Sequence, residues 1–117
     1  MNRMAEDRLG INTEWLRDVR RIYLAGASRK LADLERAISG LEMNPMSRIH
    51  ERRLRRLLHN LIGSGASYGF PAVSDTAREM SECLKQRRDD LSLDPEILAA
   101  LRARLERLRQ VFGDAKA

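Results

Sequence analysis

The stretch Leu54–Gly69, LRRLLHNLIGSGASYG, decides the fold because its apolar residues separate from its polar ones at helical spacing. Its four leucines recur at intervals that predict one buried stripe along a helix: Leu54, Leu57, Leu58 and Leu61. At about 100° per residue, His59 lies roughly 140° from the middle of that stripe. The sequence therefore predicts a histidine on the solvent face of a helix, with Arg52, Arg56, Gly63 and Ala66 on the same side.

Small residues crowd the end of this helix, where each glycine costs up to about 1 kcal/mol relative to alanine. Close helix packing and a turn before Pro71 account for Gly65 and Gly69. They do not account for Gly63, which lies about 180° from the apolar stripe. An outward glycine one turn after an outward histidine predicts that another macromolecule approaches the imidazole of His59.

The composition describes one helical domain. A chain of 117 residues buries roughly two-thirds of its unfolded surface, and a dominance of Leu, Ala, Arg and Glu with 4% aromatic residues favours helices. We predict a single domain over residues 1–117, with residues 1–12 frayed. No apolar run reaches the roughly 20 residues that span a bilayer, so we expect no membrane partner. A single cysteine, Cys83, forms no internal disulfide, which favours the cytoplasm.

Further stripes at helical spacing predict the remaining helices. The first stripe runs from Leu16 to Leu41 and forms one long helix or two joined near Gly26–Ser28. The later stripes comprise Val73, Ala77, Met80 and Leu84 in one helix, and Leu98, Leu101, Leu105, Leu108 and Phe112 in the next. We expect the large aromatic residues at or near the core, namely Trp15, Tyr23, Tyr68 and Phe70.

All three prolines stand at expected helix starts, where the missing N–H of proline costs nothing. They follow Asn44, Phe70 and Asp94, and they predict a second helix from about Pro45 to about Ser67. The connections between helices are short, which makes neighbouring helices antiparallel. The predicted fold is all-α, an antiparallel up-and-down four-helix bundle with an additional N-terminal helical segment.

His59 is the candidate for chemistry. An exposed neutral imidazole is a nucleophile near neutral pH. His50 lies nine residues earlier, about 180° around the same helix, and no acidic cluster has metal-ligand spacing, so we predict no metal site. From composition alone, a surface histidine without any role remains an alternative.

The run His59–Gly69, HNLIGSGASYG, resembles the signature of histidine-containing phosphotransfer (HPt) domains. That signature is a histidine, an apolar residue two positions on, a glycine four on and a glycine ten on. His59, Leu61, Gly63 and Gly69 match it. The continuation FPAVSDTARE, residues 70–79, is similar to the start of the helix that follows in this family.

The resemblance implies a phosphorelay intermediate. His59 would accept a phosphoryl group through Nε2 from a receiver-domain aspartate and pass it to another receiver. The expected partners are response-regulator receiver domains and, as a further candidate, a hybrid histidine kinase. We expect no ATP-dependent kinase activity, no cofactor in this chain, Mg²⁺ on the receiver, and a monomer. The docking surface would comprise Asn60, Ile62, Gly63 and Ala66.

One position departs from the family pattern. Many members have lysine three residues after the histidine, thought to balance the charge of the phosphoryl group, and Ile62 stands there in this chain. Arg56, one turn before His59, is a candidate substitute because guanidinium pairs well with phosphate oxygens. Arg52 and Arg55 lie nearby. The alternative is that these arginines form a solvated face.

Two other functions stay open. A net charge of +5 with 19 arginines permits binding to nucleic acid, and one helix carries Arg48, Arg52, Arg53, Arg55 and Arg56. Acidic residues interrupt the arginines of the last helix, no helix–turn–helix spacing stands out, and the glycines would be unexplained, so we expect no nucleic-acid partner. The other alternative is a receiver-binding bundle that is never phosphorylated.

Overall fold

Five helices make up the part of the chain that the computed structural model describes, residues 13–87 and 93–117. They are α1 Thr13–Ala25, α2 Ala27–Met43, α3 Arg48–Ser67, α4 Pro71–Lys85 and α5 Pro95–Asp114. The predicted fraying of residues 1–12 lies outside the described residues. Within the described residues there is no strand, and no helix is long and apolar enough to span a membrane.

Helices α2–α5 form the predicted up-and-down bundle. α3 packs against α2 and α4, and α5 packs against the same two helices, so α3 lies diagonally across the bundle from α5. The predicted apolar stripes meet in its core. The fully buried large side chains include Leu34, Ile38, Leu41, Leu54, Leu58, Met80, Leu84, Leu101, Leu105 and Leu108. Burying a side chain of this size stabilises the fold by about 1.5–3 kcal/mol.

The N-terminal stripe forms two helices. α1 ends at Ala25, and Gly26 precedes α2 with backbone angles outside the helical pattern. α1 lies against the turn between α3 and α4. There the Tyr23 hydroxyl is 2.8 Å from Ser64 Oγ, and Arg20 Nε donates a 2.7 Å hydrogen bond to the carbonyl of Tyr68.

Only the end of α1 reaches the core, which corrects two expectations. Tyr23 and Phe70 are buried, as predicted, and Tyr68 is half-buried beside them. The rings of Tyr23 and Phe70 stack with their centroids 5.6 Å apart. Trp15 is 54% exposed, so the prediction that it lies at or near the core was wrong. The half-buried Leu16 and Val19 likewise stop short of the core, because no bundle helix within residues 13–87 and 93–117 covers the first turns of α1.

Two of the three prolines begin helices. Pro71 and Pro95 stand in the first turn of α4 and α5. The prediction for Pro45 was wrong, because α3 begins three residues later at Arg48. Pro45 instead lies inside a turn closed by the hydrogen bond from Ser47 N–H to the Asn44 carbonyl, a turn position that proline favours. The Ser47 side chain then accepts a hydrogen bond from His50 N–H and caps α3.

An ion-pair network ties α2 to α5. Arg102 pairs with Glu35 and, at 2.6 Å, with Glu42, while Arg109 pairs with Glu35 at 2.9 Å. The hydrogen bond from Arg102, followed by one from Ser39, lowers the pKa of the Glu35 carboxyl. Hydrogen bonds to Glu42 and Glu35 raise the pKa of Arg102.

We predict that Glu35→Gln destabilises the protein at neutral pH and that the difference shrinks in acid. A carboxyl whose pKa is lowered by folding contributes stability above its ordinary pKa of 4.5. That contribution is lost as pH falls through the lower folded value. Urea unfolding of the wild type and Glu35→Gln at pH 7 and pH 3 measures the gap. The control is Glu106→Gln, whose pairing with Arg109 stays within α5. An equal difference in unfolding free energy between wild type and Glu35→Gln at both pH values would contradict the lowered pKa of Glu35.

Candidate functional site

His59 lies exposed on α3, with five turns of helix holding its backbone. Leu54, Leu58 and Leu61 are buried on the opposite side of α3 and fix its rotation. The imidazole therefore points to solvent, as the sequence pattern predicted. In this position the ring nitrogens are accessible to a partner without any rearrangement of the core.

The predicted neighbours of His59 divide between the solvent face and the edge of the core. Those exposed to solvent are Arg52, Arg55, Arg56, Asn60, Gly63 and Ala66. Ile62 is half-buried and its side chain packs against the core. Its carbonyl accepts a 2.8 Å hydrogen bond from the Ser74 hydroxyl of α4. Position 62 thus belongs to the α3–α4 contact as well as to the rim of the site.

The three glycines after His59 have three different surroundings. A Cβ at Gly65 would lie 2.8 Å from Ser74 N and 3.2 Å from the Phe70 carbonyl, so only glycine lets α4 approach α3 this closely. Gly69 has a φ of +81°, the left-handed region that glycine occupies without strain. A Cβ at Gly63 would meet nothing within 4 Å. Nothing in the described structure requires glycine at position 63. Because glycine has no side chain, the space beside His59 is open.

His50 packs within the bundle, between α3 and α2, and does not lie beside His59. Its ring lies against Gly40 of α2, where a Cβ would collide with it, and its Nδ1 is 2.7 Å from the Ser47 hydroxyl. This agrees with its predicted position on the side of α3 away from His59. Among the described residues, no group of three or more histidine, cysteine or acidic side chains is placed to hold a metal ion.

The arginines around the site differ in their partners. Arg55 pairs with Glu51 at 3.1 Å, and Arg53 is 3.8 Å from Asp33 of α2. No described carboxylate lies within 4 Å of the guanidinium of Arg56 or of Arg52. Arg56 is three residues before His59 and is therefore its neighbour on the helix surface.

Lys30 is a residue beside Asn60 that the sequence pattern did not single out. It projects from α2 and lines a cavity of about 110 Å³ together with Leu57, Asn60, Leu61 and Ser64 of α3. Its Nζ lies 4.5 Å from the centroid of the Tyr23 ring. The position of Lys30 beside Asn60 depends on how α2 packs against α3. No local sequence motif around Lys30 predicts that packing.

Comparison with known families gives one finding for this chain. A family model described as Hpt domain matches residues 18–111, about four fifths of the sequence. The match covers all of α2, α3 and α4 and most of α1 and α5. No curated protein and no solved structure matches the chain.

We predict opposite effects on stability for two glycine-to-alanine changes in α3, at positions two residues apart. Gly63→Ala should raise the free energy of unfolding by about 0.5–1 kcal/mol, because alanine is the better helix former and its methyl group meets open space. Gly65→Ala should lower it by about 1–3 kcal/mol, because backbone atoms of α4 must move. Urea unfolding of both variants tests the pair, and equal effects would contradict the packing described for Gly65.

Proposed function

This chain belongs to the histidine-containing phosphotransfer (HPt) domain family, and from that membership we propose that His59 is its phosphoacceptor. HPt domains transfer phosphoryl groups in phosphorelays and interact with response-regulator receiver domains. In our proposal His59 accepts the group from an aspartyl phosphate of one receiver and passes it to another. The observation that carries the proposal is an exposed histidine, at the family's motif position, beside a glycine that leaves its approach open.

The proposed step is an in-line displacement at phosphorus. The lone pair on Nε2 of the neutral imidazole forms the N–P bond while the P–O bond to the aspartate breaks. The carboxylate leaves with the bonding electrons, and the proton on Nδ1 stays on the ring. Transfer to a second receiver reverses the roles, with a carboxylate oxygen as nucleophile and His59 as leaving group.

The contribution of this chain is to position a nucleophile on a rigid surface. α3 holds His59 by its buried leucines, and the small Gly63 and Ala66 leave room for the edge of a receiver. In this proposal the receiver supplies Mg²⁺ and an acidic pocket, and the HPt domain supplies no cofactor. Asn60 and Ile62 would border the contact on either side. A protein acting in this way is a phosphocarrier and needs no ATP-dependent kinase activity.

Arg56 is our candidate for the charge that Ile62 does not supply. Its guanidinium is exposed, lies on the surface next to His59 and has no described carboxylate partner. Arg55 is held by Glu51, so it is less free to turn toward a phosphoryl group. Arg52 lies one further turn along the same face and would attract an acidic receiver surface.

The two alternatives differ in what supports them. Binding to nucleic acid draws on the basic charge, but it leaves the family match unexplained. A receiver-binding bundle without phosphorylation keeps the family and the docking surface, and Ile62 is the residue in its favour. A monomeric state, a cytoplasmic location and a hybrid histidine kinase as donor remain predictions.

We predict that His59→Gln abolishes acceptance of phosphate from a receiver domain that has been phosphorylated with acetyl phosphate. The glutamine side chain has no nucleophilic ring nitrogen. The measurement is acid-labile, alkali-stable phosphate on the chain. His50→Gln is the matched control and should accept phosphate at the wild-type level, because His50 packs against α2. No transfer to the wild type would support the non-phosphorylated alternative, and salt-dependent retention of DNA by His59→Gln would support the nucleic-acid one.

We predict that Arg56→Ala slows acceptance of phosphate roughly tenfold, as expected when one charge-assisted contact to the transferred group is lost. Arg107→Ala removes the same charge from α5, diagonally across the bundle, and should leave the rate within about twofold of the wild type. Stopped reactions at several salt concentrations measure both rates. Equal rates for Arg56→Ala and Arg107→Ala would remove Arg56 from the site.

A further inference from the structure

Ile62 and Arg56 flank His59 on opposite sides of α3. They lie three residues after and three residues before it, so at about 100° per residue each is about 60° around the helix from His59, in opposite directions. The Ile62 carbonyl accepts the hydrogen bond from the Ser74 hydroxyl, which identifies the Ile62 side as the side toward α4. Arg56 therefore supplies charge from the side away from α4, and the residue that borders His59 on the α4 side is apolar.

The register between α3 and α4 places Arg78 at the level of His59. The two helices are antiparallel, and the 2.8 Å hydrogen bond between Ser74 Oγ and the Ile62 carbonyl fixes which residues lie opposite one another. From that contact, His59 is three residues back along α3 and Arg78 is four residues forward along α4. At 1.5 Å per residue these displacements are about 4.5 Å and 6 Å in the same direction. The two residues thus lie at nearly the same height on neighbouring helices.

Arg78 also lies on the side of α4 that faces α3. Residues four apart share a helix face, and Ser74, four residues before Arg78, is the residue whose side chain contacts α3. Further along the two helices, Glu51 of α3 pairs with Arg87 just after α4, so the contact continues past the level of His59. The axes of packed helices are about 8–10 Å apart, a gap that an arginine on the edge of the groove can span. The Arg78 guanidinium is therefore within reach of a phosphoryl group on His59.

The guanidinium of Arg78 is exposed and loosely held. Its Nη1 is 3.5 Å from Asp75 Oδ1, and the two side chains are 56% and 69% exposed. Exposed pairs of this kind contribute little. Arg55, an α3 arginine one turn before His59, is instead paired at 3.1 Å with Glu51, whose side chain is only 13% exposed. Arg78 can therefore exchange its carboxylate partner for phosphate oxygens, which guanidinium binds in a bidentate manner.

We propose that Arg78 of α4 binds the phosphoryl group carried by His59. From the neighbouring helix it supplies the positive charge that a lysine at position 62 would supply from α3. The inference rests on the proposed function of His59. A phosphoryl group carries close to two negative charges at neutral pH, and Arg56 and Arg78 hold it from opposite sides. No covalent bond to Arg78 forms or breaks, and only its ion pair with Asp75 opens.

The test uses potassium phosphoramidate, a small phosphodonor that needs no receiver docking. Its P–N bond breaks as the bond to the histidine nitrogen forms, and ammonia is released. Three variants are compared with the wild type: Arg78→Gln, which removes the charge, Arg78→Lys, which keeps it, and Lys85→Met. The last is the matched control, because Lys85 is an exposed cation of α4 roughly 10 Å further along the helix and pairs with Glu82 at 3.2 Å.

Two quantities are measured, the rate of phosphorylation and the second pKa of the phosphoryl group. The ³¹P signal of phosphorylated His59, identified by its loss in His59→Gln, is titrated with pH. Arg78→Gln should raise that pKa, because a nearby cation favours the dianion, and should slow phosphorylation roughly tenfold. Arg78→Lys should restore the pKa and part of the rate, since lysine keeps the charge without the bidentate geometry. Lys85→Met should match the wild type.

The exposed position of Arg78 predicts that Arg78→Gln folds normally. Circular dichroism and urea unfolding check this, and Arg78→Met takes its place if the glutamine variant is defective. A merely structural role for Arg78 would lower the unfolding midpoint and leave the pKa of the phosphoryl group unchanged, which would overturn the proposal.

Two failures have different meanings. If phosphoramidate and phosphorylated receivers both leave wild-type His59 unmodified, the proposed function fails and this inference fails with it. If wild-type His59 is phosphorylated and Arg78→Gln has the titration and rate of the wild type, the role of Arg78 is overturned and the phosphocarrier function stands. An equal change in Arg78→Gln and Lys85→Met would also overturn it, since it would show a general effect of net charge.

Discussion

The close approach of α3 and α4 at Gly65 is the constraint on which the site depends. Backbone atoms of Phe70 and Ser74 occupy the space of a side chain at position 65, so any residue other than glycine there would push α4 away from α3. With that contact fixed, Leu58 and Leu61 are buried and His59, between them in sequence, faces solvent. The orientation of His59 is therefore set by Gly65 together with the buried leucines of α3, none of which has chemistry of its own.

The bundle and the position of His59 could be predicted from the sequence because helical periodicity is a local property. The stripes of α2–α5 turned out to be buried as predicted, and Pro71 and Pro95 begin their helices. Pro45 was misplaced because proline suits a turn as well as a first helical turn, and the choice depended on the capping hydroxyl of Ser47. Trp15 was misplaced because periodicity predicts an apolar face but not whether another helix covers it.

The surroundings of His59 were harder to predict for the same reason. Arg56 and Asn60 share its helix, so their positions follow from spacing alone. Lys30 comes from α2, and its place beside Asn60 depends on the packing angle between two helices. The ion pairs of Arg55 and Arg53 with Glu51 and Asp33 likewise depend on tertiary geometry. A stretch that looks uniformly basic in the sequence therefore contains neutralised and available arginines side by side.

The open space around Gly63 shows that the two faces of α3 are under different structural constraints. Side chains on its buried face stabilise the bundle. Gly63, Ala66 and Arg56 are exposed on its outer face, and contacts with the rest of the described chain constrain them little. If this face binds receivers as proposed, substitutions on it change partner preference and leave the packing of the bundle intact. Under the proposed function, duplicated copies of such a chain would diverge toward different receivers through changes at this surface alone.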